Sequence, residues 1–115
     1  MSPSKFCSEN TAGTGRSVFL NLDYCSNGDL FSLVKNHGRL PKSVADTLFM
    51  QIVDAVEFMH RDAELTHLDL KLENVLLDGD FKVKLCDFGF CQSNSSRLFK
   101  GVGTEGYKAP EIFKL

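Results

Sequence analysis

The stretch His67-Leu68-Asp69-Leu70-Lys71-Leu72-Glu73-Asn74, followed after a short gap by Asp87-Phe88-Gly89, decides how the chain is read. An acid, a lysine and an amide stand within six residues, and a second acid sits on a glycine turn further on. Such a set has the parts for magnesium-dependent phosphoryl transfer. A carboxylate such as Asp69 accepts a proton from a hydroxyl, and Lys71 screens phosphate charge. Asn74 and Asp87 offer the hard oxygen ligands that Mg2+ prefers.

Outward from this stretch, the segments on either side form the frame it needs. Val75-Leu76-Leu77 is a short apolar strand, Asp78-Gly79-Asp80 a hairpin turn signal, and Phe81-Lys82-Val83-Lys84-Leu85 an alternating strand. An antiparallel hairpin of this kind sets Asn74, at the start of one strand, beside Asp87, just past the end of the other. Upstream, Ala45, Leu48, Phe49, Ile52, Val56 and Met59 recur at three- and four-residue steps after Leu40-Pro41, which predicts a long helix with one apolar stripe. Phe49, Phe58 and Met59 are read as core positions. A shorter helix is expected over Asp29 to Asn36, with Leu30, Leu33 and Val34 on one face and His37-Gly38 as its C-terminal cap signal. Asp29 suits the first turn of that helix, where its charge complements the dipole. Ser17 to Tyr24 alternates and reads as a strand broken by Ser26-Asn27-Gly28.

Residues 1–16 are rich in Ser, Thr, Gly and Asn, show neither period, and read as a loose tail ahead of a domain over 17–115. Gly13-Thr14-Gly15 lacks the third glycine of a phosphate loop, because Val18 stands there, and no strand pattern precedes it. With 115 residues the chain has the length of one ordinary domain, and its 43% hydrophobic and 24% charged residues are those of a globular protein. A net charge of −2 gives no basic field for nucleic acid or an anionic membrane. No apolar run approaches the roughly 18 residues of a membrane span. Residues 1–15 lack a signal-peptide core, so a cytoplasmic location is expected, with the nucleus also open. Cys7, Cys25, Cys86 and Cys91 form no C-x-x-C pair and read as reduced thiols. Cys86, directly before Asp87, suits a small buried position better than a reactive one.

The chain resembles the middle of a eukaryotic-type protein kinase. The catalytic loop H-x-D-L-K-x-x-N and the D-F-G turn occur in that family's order, and Gly103-Thr104-Glu105-Gly106-Tyr107-Lys108-Ala109-Pro110-Glu111 matches the end of its activation segment. The fold class implied is α+β: a partial kinase-like fold, mainly the helical C-lobe with a hinge strand and a small antiparallel hairpin. The resemblance implies that Asp69 is the base, Lys71 neutralises the transferring phosphoryl group, and Asn74 and Asp87 hold Mg2+. It makes Thr104 the tie between the base and the substrate-docking segment. For ATP it assigns Leu22 as gatekeeper, the backbone of Asp23 and Cys25 as adenine partners, and Asp29 near the ribose. Leu76 becomes the floor under adenine, and Glu73 is counted with the nucleotide-binding residues.

Lys71 and the Glu73-Asn74 pair resemble serine/threonine kinases more than tyrosine kinases, so a protein hydroxyl is the implied phosphate acceptor. His67 is assigned a structural part, satisfying backbone groups. Polar residues 91–100 correspond to the activation loop. Leu68 stands where the family usually has the arginine that pairs with a phosphorylated activation loop, and a leucine offers phosphate nothing. Leu72 replaces a common proline. Neither a V-A-I-K lysine nor a complete glycine-rich loop precedes the hinge, so the chain carries the base and metal half of the site. By itself it is expected to bind nucleotide weakly, to transfer no phosphate, and to expose apolar C-lobe surface that a protein partner can cover. A non-catalytic interaction module and a gene fragment are the competing readings.

Overall fold

A computed structural model describes residues 7–10, 17–97 and 101–113, with side chains from residue 21 onward. The first strands, β1 (Cys7–Asn10) and β2 (Ser17–Leu20), pair antiparallel with Cys7 opposite Leu20. Residues 7–10, expected within a loose tail, thus stand in a strand, and the rest of 1–16 lies outside the described residues. Cys-Ser-Glu-Asn shows no apolar alternation, yet its backbone completes a ladder with β2. Gly13-Thr14-Gly15 lies outside the described residues.

Helix α1 (Leu30–His37) starts where Asp29 takes the cap position. Its carboxylate accepts the Ser32 amide at 2.8 Å and the Ser32 hydroxyl at 3.0 Å. The helix stops at Gly38, whose φ of 74° lets its N–H return to the Val34 carbonyl at 2.8 Å. Helix α2 (Lys42–Arg61) follows Pro41 and ends where the amides of Asp62 and Ala63 both turn back to the Phe58 carbonyl. Among the described residues no helix is long and apolar enough to cross a membrane.

Strand β3 (Leu65–Thr66) leads into the 67–74 loop, which closes on a single 3-10 turn, Leu72–Asn74. Strands β4 (Val75–Leu77) and β5 (Val83–Leu85) form the expected hairpin, with Val75 opposite Leu85. Its turn is wider than Asp78-Gly79-Asp80 suggested. The Asp78 carboxylate accepts the amides of both Asp80 and Lys82, and Phe81 adopts a φ of 58°, which removes it from the strand. A last short strand, β6 (Gln92–Ser93), pairs with β3, and α3 (Pro110–Phe113) ends the described chain.

The core is Leu30, Leu48, Val75 and Leu77, flanked by Leu33, Val34, Leu40, Ile52, Leu72, Val83 and Leu85. It therefore binds α1 and α2 to the hairpin that carries Asn74 and Asp87. The Gln51 side chain adds a polar tie by accepting the Val83 amide at 2.9 Å. On α2 the stripe is narrower than its periodicity suggested. Leu48 and Met59 are buried, but Phe49 is 62% and Phe58 56% exposed. Periodicity alone makes both core positions, and the structure corrects this. Apolar spacing marks which side of a helix avoids water, and burial further requires an opposing element, which these two rings lack among the described residues.

Candidate functional site

His67 organises the loop from within. It is buried, its Nδ1 accepts the Asp69 amide at 3.1 Å, and its Nε2 lies 2.8 Å from the Cys86 carbonyl. An acceptor at Nδ1 requires the proton on Nε2, so the ring donates to Cys86 and ties the loop to the end of β5. That is the structural role expected of it. The Phe88 ring packs beside the imidazole at a centroid distance of 5.2 Å.

Asp69 is 6% exposed, and three polar partners surround it. The Thr104 hydroxyl donates to its Oδ1 at 2.5 Å, and the same hydroxyl accepts the Lys71 ammonium at 2.9 Å. Lys71 Nζ stands 3.8 Å from Asp69 Oδ2, an ion pair poised beside the hydroxyl bridge. The Asn74 side-chain N–H donates to the Asp69 backbone carbonyl at 2.8 Å. Four residues chosen from sequence, Asp69, Lys71, Asn74 and Thr104, thus form one hydrogen-bonded cluster. Residues 33 positions apart, Lys71 and Thr104, meet because the backbone turns back at Gly103. With φ at 86°, Gly103 sits so close to the loop that a β-carbon there would lie 3.0 Å from the Leu68 carbonyl oxygen. Leu68 itself has a φ of 68°, a strained value for a branched side chain.

Asn74 and Asp87 are brought together by the hairpin. The Cys86 amide donates to the Asn74 carbonyl at 3.0 Å, one step beyond the Val75–Leu85 pair. Asp87 is exposed, has a φ of 57°, and accepts the Gly89 amide at 3.3 Å. The Asn74 amide nitrogen is spent on Asp69, which leaves its oxygen for a cation. Amide and carboxylate oxygens suit Mg2+. Among the described residues no group of three or more His, Cys, Asp or Glu side chains could hold a metal.

Residues 27–29 approach from the other edge of β4. The Leu77 amide donates to the Gly28 carbonyl at 2.8 Å, the Asn27 amide donates to the Leu77 carbonyl at 3.1 Å, and Asp29 bridges to Leu76. Leu76 is therefore brought next to Asp29. The Asp29 carboxyl is held below its ordinary range, chiefly by the Ser32 amide, so helix capping accounts for its charge. Leu22 is 74% exposed, Cys25 is half-buried, and Glu73 projects from the 3-10 turn into solvent. Asp23 pairs with Lys84 at 2.9 Å, which raises the lysine's pKa and links the segment before α1 to β5, the strand that ends two residues before Asp87. Partial burial, followed by the neighbouring Asp87 charge, pushes the half-buried Cys86 thiol up, which disfavours a reactive thiolate.

A cavity of about 560 Å3 lies between the loop and residues 102–112. It borders Asp69 and Thr104 but not Leu22, Cys25, Leu76 or Asp87, so it is no adenine or metal pocket. Sequence reasoning missed Lys84, Gln51 and Asn94. Each acts through a partner at least 28 residues away, and no local pattern marks such a pairing.

A family model described as "Protein kinase domain" matches residues 6–114. The chain is 40% identical over 101 residues to the carbon catabolite-derepressing protein kinase of Secale cereale, an alignment covering 86% of this chain and 20% of that protein. The chain thus spans about a fifth of the length of this curated relative.

Proposed function

Because the chain belongs to the protein kinase family, we propose that its Asp69–Thr104–Lys71 cluster serves ATP-dependent transfer of the γ-phosphoryl group to a serine or threonine hydroxyl of a protein. The observation that carries this reading is the hydroxyl bridge between a buried carboxylate and a lysine, which gathers a base, a hydroxyl and a cation at the motif positions of a phosphoryl-transfer site. Asp69 takes the acceptor's proton as that oxygen bonds to phosphorus. The bond from phosphorus to the bridging oxygen breaks, and its electron pair leaves with ADP. Thr104 holds Asp69 in one rotamer and ties it to residues 101–113, where an acceptor peptide is placed. Lys71 offsets charge on the transferring group. Asn74 and Asp87 would hold Mg2+, which when bound would supply charge neutralisation. The hinge backbone at Asp23 and Cys25, with Leu22, Leu76, Asp29 and Glu73, forms the nucleotide side. Leu68 in place of an arginine separates this site from control by a loop phosphate.

On this reading the described residues would serve as the base and metal side, and the 115-residue chain is expected to bind Mg-ATP weakly and to show no measurable peptide phosphorylation. A second reading, a non-catalytic surface for a protein partner, is favoured by the exposed Phe49, Met50, Val53 and Phe58 along α2. One chimera separates the two. Residues 65–113 replace their counterpart in the catalytic domain of the Secale cereale kinase. Transfer to a serine peptide, abolished by Asp69→Asn, is the expected result. A folded chimera that is inactive with Asp69 intact would favour the interaction surface.

A further inference from the structure

The pairing of β3 with β6 is only two residues long, Leu65 opposite Ser93 and Thr66 opposite Gln92, too short to hold a strand by itself. Just beyond it, Asn94 makes three bonds to two other elements. Its amide nitrogen donates to the His60 carbonyl at 2.8 Å, and its amide oxygen accepts the Thr66 hydroxyl at 2.7 Å. Its backbone N–H donates to the Glu64 carbonyl at 3.0 Å. His60 lies in the last turn of α2, where carbonyls have no partner within the helix, so a residue 34 positions away completes the helix end. Glu64 adopts a φ of 53°, an uncommon backbone state for a glutamate, and its carbonyl is the one that meets Asn94.

Thr66 and Asp69 lie three residues apart on one loop, and each is gripped by a residue of the segment that follows the D-F-G turn: Thr66 by Asn94, Asp69 by Thr104. We propose that Asn94 is a positioning residue that locks the start of this segment to the end of α2 and to the strand entering the 67–74 loop, and so holds Asp69 and Thr104 against each other. This deepens the proposed function, since it rests on Asp69 being the base, but the lock itself is independent of phosphoryl transfer. An asparagine suits the position because one planar group must donate at one end and accept at the other.

Amide hydrogen exchange on the 115-residue chain tests it. The reporters are the Asp69 amide, bonded to His67, and the Tyr107 amide, bonded to the Thr104 carbonyl. The control is the Leu77 amide in the α1–β4 body. Asn94→Ala is expected to speed exchange at both reporters by about 3- to 10-fold, the range given by loss of one or two solvent-accessible hydrogen bonds, and to leave Leu77 unchanged. Thr66→Val should reproduce part of that effect, and Thr66→Ser, which keeps the hydroxyl, should not. Unchanged reporters in Asn94→Ala would overturn the proposal, as would a uniform rise that includes Leu77. Because the readout needs no ATP, an inactive chimera whose chain keeps an intact lock would contradict the proposed function alone.

Discussion

Replacing Thr104 with valine keeps the side chain's shape and removes only the hydroxyl that bridges Asp69 and Lys71. Asp69 then loses its donor at 2.5 Å while its side chain remains 95% covered, and Lys71 loses its acceptor at 2.9 Å. A buried acceptor left without its donor costs about 1–3 kcal/mol, and a charged one lies at the upper end, about 2–3 kcal/mol. Part is recovered, because Lys71 Nζ can close on the carboxylate from 3.8 Å to hydrogen-bond distance. At an effective dielectric of about 20 that approach returns roughly 1 kcal/mol. The net expectation is a loss of about 1–2 kcal/mol, read as a lower urea midpoint, with the melting temperature falling by about 4–8 °C for each kcal/mol. Thr104→Ser, which keeps the hydroxyl, should stay within about 0.5 kcal/mol of the parent. The reasoning fails if Thr104→Val is as stable as the parent, or if Thr104→Ser is destabilised as much as the valine variant.

Two further substitutions test how the site is framed. Gly103→Ala and Gly101→Ala both force alanine into a left-handed backbone, at φ of 86° and 88°, which costs about 1–2 kcal/mol. Only Gly103 faces the Leu68 carbonyl at 3.0 Å, whereas among the described residues nothing lies within 4 Å of Gly101, so urea unfolding should find Gly103→Ala the worse by about 1 kcal/mol. Equal losses would remove the close approach from the account. Asp29→Ala deletes the α1 cap and should cost about 1 kcal/mol at pH 7. The Asp29 carboxyl titrates lower in the folded chain than unfolded, so its contribution is complete above about pH 4 and is lost as pH falls through the folded value. The stability gap between parent and variant should therefore narrow in a pH series taken below about pH 4. A gap that stays constant from pH 7 to pH 3 would refute it.

What could be read in advance follows from the range of the forces involved. Capping of α1 by Asp29 and Gly38 is local, and its residues announce it. The hairpin around Asp78 is equally local, though Phe81 shows that a turn residue can be mistaken for a strand residue when only alternation is considered. The Asp69, Lys71 and Thr104 cluster spans 35 residues and was legible only because the motifs carry its spacing. Nothing comparable marks Asn94 or Gln51, which serve backbone groups on distant elements. The strand Cys7–Asn10 escaped because its pairing is made by backbone, while its side chains look like those of a loop. Phe49 and Phe58 were misplaced for the opposite reason, since their spacing is helical but no described element covers them.

The central claim is that these residues form the magnesium and base side of a phosphoryl-transfer site, and Mg-ATP binding to the chain tests it most directly. With affinity near 1 mM, ATP at about 10 mM with excess Mg2+ should stabilise the chain by about 1.4 kcal/mol in a thermal melt. The shift should vanish without Mg2+, and in Asp87→Asn or Asn74→Ala. An equal shift without Mg2+ or in those variants, or no shift at all in the parent, would contradict the account.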